Sequence, residues 1–586
     1  MNQIRKIKKN WEIKKHDRNL VETFATELGV EPLTAALLIS RGYDTTSKVE
    51  EFFHPTLDSL HSPFLLKDIE KAVARILEAI DRREKILIWG DYDVDGTTGT
   101  VILRKAFRKL GVEVDYYIPH RVQEGYGLNL EALKKKKEEG IKVIITVDTG
   151  SLAFEAAEWA RNNGICLIVT DHHIMDKDEH KSKAYALINP HQKDCPYPNK
   201  KIAGVGVAFK LAQALLERKG VSDQPFLKQL LELVAVGTIA DIMELTGENR
   251  SIVKFGLGKL KETENKGLKA LIEVAGLKNK PSLSSYNIGF QIAPRINAAG
   301  RLEHAGIVVK LLETDSDEEA LKIAEILDRT NRERQELQNR MVKEAFEALD
   351  ESIKPHSEIP FAIVVANKNW HRGVVGLVAS KVTDAYYRPS FMISIENDIG
   401  YGSARSIEEF DVTEALSKAS DILINYGGHK QAAGFSIKSD YISAFKKILN
   451  DYASKVLKPE NLNPRIIVDA QLSFKSIHPK LWQELTNFEP FGIGNPKPVF
   501  LTRSVKINSK KAYDKYTKFD LADREGKKLN AIFWSVNMFH DSGREFYLAE
   551  GQTIDVVYEL ELNVWNGYSS FQLNIKDFKD SQTNNV

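Results

Sequence analysis

Four short runs of this chain end in aspartate or histidine, and together they supply the donors of a metal site. They are Ile86-Leu-Ile-Trp-Gly-Asp-Tyr-Asp-Val-Asp-Gly96, Val143-Ile-Ile-Thr-Val-Asp148, Leu167-Ile-Val-Thr-Asp-His-His173 and Val236-Gly-Thr-Ile-Ala-Asp241. The first three read as strands, the last as more helical than extended. One acid at a strand end is ordinary; four such runs point to a shared site. The donors are hard carboxylate oxygens and imidazole nitrogens with no thiolate, which favours Mg²⁺ or Mn²⁺ over a structural zinc. Two such ions held close together are the usual machinery for hydrolysing a phosphodiester.

Asp91-Tyr-Asp-Val-Asp-Gly96 also has the opening spacing of an EF-hand loop. That reading needs a Glu at the twelfth position, which is Ile102, and a preceding helix, where this chain has an apolar strand. A solvated acidic turn is the other bland reading, but three carboxylates this close repel one another without a cation. Asp148 alone would read as a helix N-cap, and the histidine pair alone as a surface turn. In open α/β sheets, however, ligands sit beyond the carboxyl ends of the strands, and three strand ends bringing acids and imidazoles to one edge suit a metal centre.

These runs must be positioned by something larger. At 586 residues the chain is too long for one core, and its length suggests roughly three to four domains. Lys+Arg and Asp+Glu number 82 and 81, so the formal charge of +1 neither supports nor excludes a nucleic-acid partner. Cys166 and Cys195 are too few for a disulfide framework or a zinc site and fit a reducing cytoplasm. The basic N-terminus is followed by no apolar h-region. The longest apolar stretch, Leu230 to Met243, is broken by Glu232 and Asp241. A soluble, cytoplasmic protein that does not enter the membrane is expected.

Residues 1–80 read as a helical segment packing on a catalytic domain at 81–310. There, β-branched runs alternate with amphipathic segments as in βαβ units on a parallel sheet. Ser316 and Glu319 are spaced as a capping box opening a long helix, whose polar middle, Asp328 to Glu336, marks a connecting helix at 311–355. A smaller α/β domain is expected at 356–460. From 461 to 586 the pattern is all-β, with alternation over Ile554–Val564 and Phe571–Ile575 about an Asn566-Gly567 type I′ turn. An OB-like barrel fits that pattern, and so does a sandwich. Between Arg503 and Phe519, Lys506, Lys510, Lys511, Lys515 and Lys518 interleave with Tyr513, Tyr516 and Phe519. Such a stretch can hold a single strand, or it can be a solvated hairpin with its aromatics in the core. The Lys134–Lys137 run reads as an exposed helix face.

Taken together, Gly-Asp-Tyr-Asp-Val-Asp-Gly, Thr-Val-Asp, Asp-His-His and Gly-Thr-Ile-Ala-Asp resemble the four motifs of the DHH phosphoesterase superfamily. His371-Arg-Gly-Val-Val-Gly376, Gly402-Ser-Ala-Arg-Ser406 and Gly427-Gly-His-Lys-Gln-Ala-Ala-Gly434 resemble its DHH-associated domain. Arg295-Ile-Asn-Ala-Ala-Gly-Arg301 and Pro119-His-Arg-Val-Gln-Glu-Gly-Tyr-Gly127 resemble the RecJ branch, bacterial exonucleases that digest single-stranded DNA from its 5′ end. The resemblance spans nearly the whole chain.

By motif, the resemblance implies that Asp93, Asp95, Asp148, His172 and Asp241 hold two divalent ions, Mn²⁺ or Mg²⁺, with Asp148 placed to bridge them. Asp91 and His173 would lie beside the ions, contacting water or the scissile phosphate, and Asp171 would orient His172. Arg121 with Ser403, Arg405, Gly428 and His429 would hold the 5′ end of the strand, with His371 and Arg301 lining the same cleft. It further implies 5′→3′ release of 5′-mononucleotides in recombination and repair, alongside a single-strand-binding protein and a RecQ-type helicase, by a monomer. Two other functions stay open at this point. A phosphodiesterase for short oligonucleotides or cyclic dinucleotides would have no use for an OB-like domain. A non-catalytic DNA-binding scaffold would have lost some of these acids and histidines, and none is missing.

Overall fold

The structure, a computed structural model, describes residues 9–121, 123–175, 182–221, 223–352, 359–534, 548–565 and 567–581. It divides into two compact units. One comprises Ser47–Arg334 with Phe488–Pro496; the other comprises the residues up to Thr46, Gln335–Asn487 and Lys497 onward. The first 80 residues are thus divided between the units instead of packing as one segment on the catalytic domain. The reason is long-range pairing. Strand β1 (Asn10–Ile13) runs parallel to a strand at Arg465–Val468, and Thr34 donates its hydroxyl to Glu484 at 2.6 Å.

The catalytic unit is built on a five-stranded sheet of β2 (Lys85–Gly90), β3 (Asp115–Tyr117), β4 (Ile141–Val147), β5 (Cys166–Thr170) and β6 (Ala186–Ile188), in the order β3-β2-β4-β5-β6. Every pairing in it is parallel. Its strands are near-continuous apolar runs because both faces are covered. On one face lie the helices Val94–Lys109, Gly204–Arg218 and Gln224–Ala240, packed with Ile86, Ile88, Ile145 and Ile168. On the other, helices Leu130–Glu138 and Phe154–Asn162 pack with Leu87, Trp89, Ile144 and Leu167. The alternation of partners follows from the period-2 pleat.

The helix Asp317–Ser352 is 36 residues long and crosses from one unit to the other at Arg334–Gln335. Half of the expected capping box forms. Ser316 Oγ accepts from the Glu319 N–H at 3.2 Å, but the Glu319 carboxylate takes the Thr314 hydroxyl instead of reaching back to Ser316.

In the second unit β7 (Ile363–Asn367), β8 (Ser390–Glu396), β9 (Ile399–Arg405), β10 (Leu423–His429) and β11 (Ala432–Lys438) form a sheet in the order β10-β11-β9-β8-β7. Its core includes Phe391, Phe410, Phe435 and Phe445. The all-β region begins with β12 (Arg465–Val468) and β13 (Ala470–Gln471). It continues through β14 (Val499–Ala512), β15 (Thr517–Ala522), β16 (Lys528–Phe533), β17 (Thr553–Trp565) and β18 (Tyr568–Asp580). The last five pair as β14-β15-β16-β18-β17, and β17 returns to β14. This closure makes a five-stranded barrel and decides against a sandwich. Asn566 of the expected turn lies outside the described residues; Gly567 has φ +81°.

Candidate metal centre

Asp91, Asp148 and Asp171 are the first residues after β2, β4 and β5, and one repeated hydrogen bond sets all three. The Asp91 N–H donates to Val147 O at 3.1 Å, the Asp148 N–H to Thr170 O at 3.0 Å, and the Asp171 N–H to Ile188 O at 3.1 Å. Each acid is therefore pinned to the end of the neighbouring strand, and the stagger of the parallel ladder delivers them side by side. The fourth run ends differently: Asp241 follows the helix Gln224–Ala240 and is held by its N–H to Gly237 O at 2.9 Å.

The remaining acids come from the turn after β2. Asp93 caps the helix Val94–Lys109, accepting from the Gly96 N–H at 3.0 Å. Asp95 lies in that helix's first turn, and its two oxygens accept from the Gly204 and Val205 N–H groups at 2.7 Å each. Those amides open the helix Gly204–Arg218, where unpaired N–H groups and the helix dipole favour a carboxylate. Gly204 also permits the close approach of Asp148: a Cβ there would lie 2.7 Å from Asp148 Cβ.

The side chains converge. His172 Nε2 lies 3.1 Å from Asp148 Oδ1, 3.4 Å from Asp241 Oδ2 and 3.6 Å from Asp95 Oδ2. Three sets of donor atoms each fall within 4.8 Å of one another: Asp148, His172 and His173; Asp95, His172 and Asp241; Asp91, Asp93 and Asp148. Asp148, which adopts φ +61°, belongs to two of them. Asp91, Asp95, Asp148 and His172 are buried, and neither Asp91 Oδ1 nor Asp148 Oδ1 receives a hydrogen bond.

Such crowding is expensive without a cation. Burial, and next the charge of Asp93, push Asp95 up to about 7. Burial and neighbouring carboxylates raise Asp91, Asp148 and Asp241 well above the ordinary range. A buried, oxygen-rich, mutually repelling set with bare oxygens matches what hard divalent ions require.

Asp171 behaves otherwise. Its Oδ1 accepts from the His172 and His173 N–H groups at 2.8 and 3.2 Å and lies 2.7 Å from His173 Nδ1. Its Oδ2 accepts from the Ser151 N–H at 2.9 Å. Its carboxylate therefore meets the ring of His173, not that of His172 as expected, because His172 turns its ring toward Asp148. Burial alone would lower His173 and raise Asp171. Their hydrogen bond reverses both, taking His173 up to about 9 and holding Asp171 below the usual carboxylate range.

Arg121 stacks over the Tyr92 ring at 4.8 Å, and Gly300, beside Arg301, packs against the Tyr92 backbone. Both arginines thus flank the acidic turn. Tyr126, within the same motif as Arg121, donates its hydroxyl to Asp148 O at 3.0 Å, and its ring lies 5.6 Å from that of His173. The sequence offered the tyrosine but no role for it. The Gly204 and Val205 amides were also missed; the glycines in Ala203-Gly-Val-Gly206 were the available signal.

The other expected substrate residues belong to the second unit. Ser403 and Arg405 lie on β9, with Arg405 Nη1 donating to Ser403 Oγ at 3.2 Å. A Cβ on Gly376, in the first turn of the helix Val375–Tyr386, would meet Ser403 Oγ at 3.0 Å and Arg405 Nη2 at 3.2 Å. His371 opens the preceding turn, accepting at Nδ1 from the Gly373 N–H at 3.1 Å. Gly428 and His429 lie on the exposed edge strand β10, two strands from β9. In the barrel, Phe519 is buried. Tyr513 and Tyr516 instead stack outside it with centroids 4.7 Å apart, beside the exposed Trp534 at 5.1 Å. Lys511 and Lys518 lie over the Tyr513 ring.

Comparison with known proteins gives three family matches: the DHH family N-terminal domain over residues 85–238, the DHHA1 domain over 358–455 and the RecJ OB domain over 468–577. The single-stranded-DNA-specific exonuclease RecJ of Bacillus subtilis (strain 168) is 38% identical over 578 residues, covering 97% of this chain and 71% of that protein. The Escherichia coli (strain K12) protein of the same name is 32% identical over 575 residues, covering 95% and 97%. The crystal structure of RecJ in complex with Mn²⁺ from Thermus thermophilus superposes with a TM-score of 0.81 at 30% identity, over 97% of this chain and 79% of that one. A structure of the Thermus protein with Mg²⁺ gives a TM-score of 0.75 at 29% identity, over 97% and 78%. The chain belongs to the RecJ family.

Proposed function

We propose that this chain is a metal-dependent exonuclease specific for single-stranded DNA, hydrolysing it 5′→3′ to 5′-mononucleotides in recombination and repair. The observation that carries the reading is the convergence of Asp95, Asp148 and Asp241 on His172 Nε2, with Asp91 and Asp93 against Asp148. Relatives named as exonucleases of this specificity match nearly the whole chain.

Asp93, Asp95, Asp148, His172 and Asp241 would hold two divalent ions, Mn²⁺ or Mg²⁺. Such ions supply neutralisation of phosphate charge and activation of water. The chain's own groups do the rest. The Gly204 and Val205 amides fix the Asp95 carboxylate, and Tyr126 fixes the backbone of Asp148. Asp171 accepts from His173 Nδ1–H and, by raising His173 to about 9, keeps the ring protonated near neutral pH, so that its Nε2–H would donate to a phosphate oxygen. Asp91, which has a buried oxygen with no donor, would contact the attacking water or the scissile phosphate. In the catalytic unit Arg121, stacked on Tyr92, would bind phosphate, with Arg301 as a lining group. In the DHH-associated domain Ser403, Arg405, Gly428 and His429 would bind phosphate, with His371 as a lining group. Arg405 with the first turn of the helix Val375–Tyr386 is a suitable anion partner. The barrel's exposed Tyr513 and Trp534, with the half-buried Tyr516 between them and lysines alongside, would stack and steady the strand.

No helix among the described residues is long and apolar enough to cross a membrane. The family resemblance adds a monomer in the cytoplasm working with a single-strand-binding protein and a RecQ-type helicase. The decisive assay follows nucleotide release from 5′- and 3′-labelled single strands and matched duplexes, with Mn²⁺ or EDTA, for the native chain and Asp148→Ala. Prompt loss of the 5′ label from single strands alone, abolished by EDTA and by the substitution, is expected. Turnover confined to the shortest oligomers, or binding with no turnover in any metal, would overturn the reading.

A further inference from the structure

Residues Phe488–Pro496 belong with the catalytic unit although the residues on both sides of them belong with the other. This strap is held by buried polar groups. Arg250, 2% exposed, donates from Nη1 to Phe488 O and from Nη2 to Glu489 O, both at 2.9 Å, and from Nε to Phe52 O at 2.9 Å. Asn495, 1% exposed, donates its side-chain amide to Phe488 O at 2.7 Å and Pro490 O at 2.9 Å. Gly492 and Asn495 exchange backbone hydrogen bonds at 2.9 and 3.1 Å, closing the strap into a tight loop. Phe488 is fully buried against Phe52 and Phe53.

The loop bears on one place in particular. Ile493 O accepts the Leu245 N–H at 2.7 Å, and a Cβ on Gly494, which has φ +75°, would lie 3.0 Å from Thr246 Cγ2 and 3.3 Å from Glu244 Cβ. Leu245 and its neighbours form the turn between the helix ending at Ala240 and the helix Gly247–Leu260 that carries Arg250. Asp241 begins this turn, and Ile242 follows with φ +60°, a conformation a β-branched residue adopts only when its surroundings enforce it. On the upstream side the turn is fixed by the Met243 N–H to Thr238 O at 3.2 Å; on the downstream side the strap supplies the Leu245 bond.

We propose that the Phe488–Pro496 strap is a positioning device for the metal centre, setting the Asp241 carboxylate through the Ile242–Thr246 turn, with Asn495 as its chief internal brace. The inference rests on the reading of Asp241 as a metal holder. Groups that orient metal-binding side chains without touching the ion typically account for about 10–100-fold in affinity. The strap holds Asp241 in that way, at a distance and through backbone.

The test measures Mn²⁺ binding to the full chain by the electron paramagnetic resonance of free Mn²⁺, without substrate, for the native protein, Asn495→Ala, Gly494→Ala and Asp241→Asn. Thermal melting in EDTA accompanies each titration, so that the two strap variants give independent routes to a folded sample. The expected result is weakening of one of two Mn²⁺ sites by about 10-fold in a folded strap variant, with the other site kept, and near-complete loss of that same site in Asp241→Asn. Native Mn²⁺ affinity in both folded strap variants, with the site lost in Asp241→Asn, would overturn the strap and leave the metal centre intact. Retention of both ions in Asp241→Asn would overturn the reading of Asp241 itself.

Discussion

Gly204→Ala is the smallest change that tests the geometry of the metal centre. It adds one methyl group and keeps the N–H that Asp95 accepts at 2.7 Å. That methyl would lie 2.7 Å from Asp148 Cβ, 2.9 Å from its Oδ1 and 3.0 Å from its Cα, whereas carbon atoms pack at about 3.5–4.0 Å. Something must move by roughly 1 Å. Asp148 cannot retreat freely: its N–H is bonded to Thr170 O and its carbonyl receives the Tyr126 hydroxyl. Overpacking of this kind costs about 1–3 kcal/mol, and displacing the acid shared by two donor sets should lower Mn²⁺ affinity by about 10–100-fold. Thermal melts in EDTA read the first quantity; Mn²⁺ titration and release of nucleotides from single strands read the second. Gly258→Ala is the control, since Gly258 lies in the helix Gly247–Leu260 with nothing within 4 Å of a Cβ, and it should gain about 0.5–1 kcal/mol. Native Mn²⁺ affinity and turnover in Gly204→Ala would refute the claim that this approach sets the site.

Four further outcomes are expected. Asp91, Asp95, Asp148 and Asp241 are all raised in the folded state, chiefly by burial, so the folded chain holds protons that the unfolded chain releases. In EDTA, the contribution of these four acids to stability should therefore be full below the ordinary carboxylate range and be lost, for Asp95, as pH rises through about 7. Asp171, which burial would raise but His173 holds low, contributes with the opposite sign at acid pH. Urea melts in which the native chain does not lose stability relative to Asp95→Asn as pH rises through about 7 would count against the buried cluster. Glu248→Gln removes the partner of Lys210, whose side chain is fully buried with Nζ 2.9 Å from Glu248 Oε1. It should cost about 3–5 kcal/mol in chemical denaturation, and a loss under about 1 kcal/mol would show that the pair is no more than a surface-type bridge. In the barrel, Tyr516→Ala should weaken binding of a single-stranded oligonucleotide in EDTA by about 1–3 kcal/mol. Lys518→Ala should reduce the slope of log affinity against log salt by about 0.7, and unchanged slopes would place the strand elsewhere.

Much of the site was legible because Asp91, Asp148, Asp171 and Asp241 each end a run whose own pattern marks it as a strand or helix. A β-branched run closed by Asp91, Asp148 or Asp171 states both that a buried parallel strand is present and which of its ends carries the polar group. Adjacency of the ends of β4 and β5 follows from consecutive βαβ units laying neighbouring strands side by side, whereas β2 meets β4 only because β3 goes to the other side of β2. The barrel was legible as alternation but not as closure, since the return of β17 to β14 depends on twist and register that no local pattern records. Three features left no trace. The conformation of Asp148 at φ +61° is imposed by its neighbours, Asp171 chose His173 over His172 through a rotation of one ring, and the residues before Thr46 joined the second unit by pairing β1 with β12.

The strap explains why such long-range features escape a reading of periodicity. Phe488–Pro496 contains two glycines, two prolines and an asparagine, a composition that reads as a connection between elements. Its importance lies in carbonyl groups, those of Phe488, Glu489, Pro490 and Ile493, which any sequence would possess. What distinguishes it is the donor side: a guanidinium and an amide, both buried, that meet those carbonyls, the guanidinium also tying them to Phe52 O. Buried polar groups must be satisfied, so Arg250 and Asn495 identify the segment they serve. A helix pattern that places an arginine at 2% exposure is a local violation of the burial rule, and violations of that kind concentrate where function has claims on the fold. Here the claim is made by Asp241, at the start of the turn the strap braces, whose carboxylate must face the other acids and stay there.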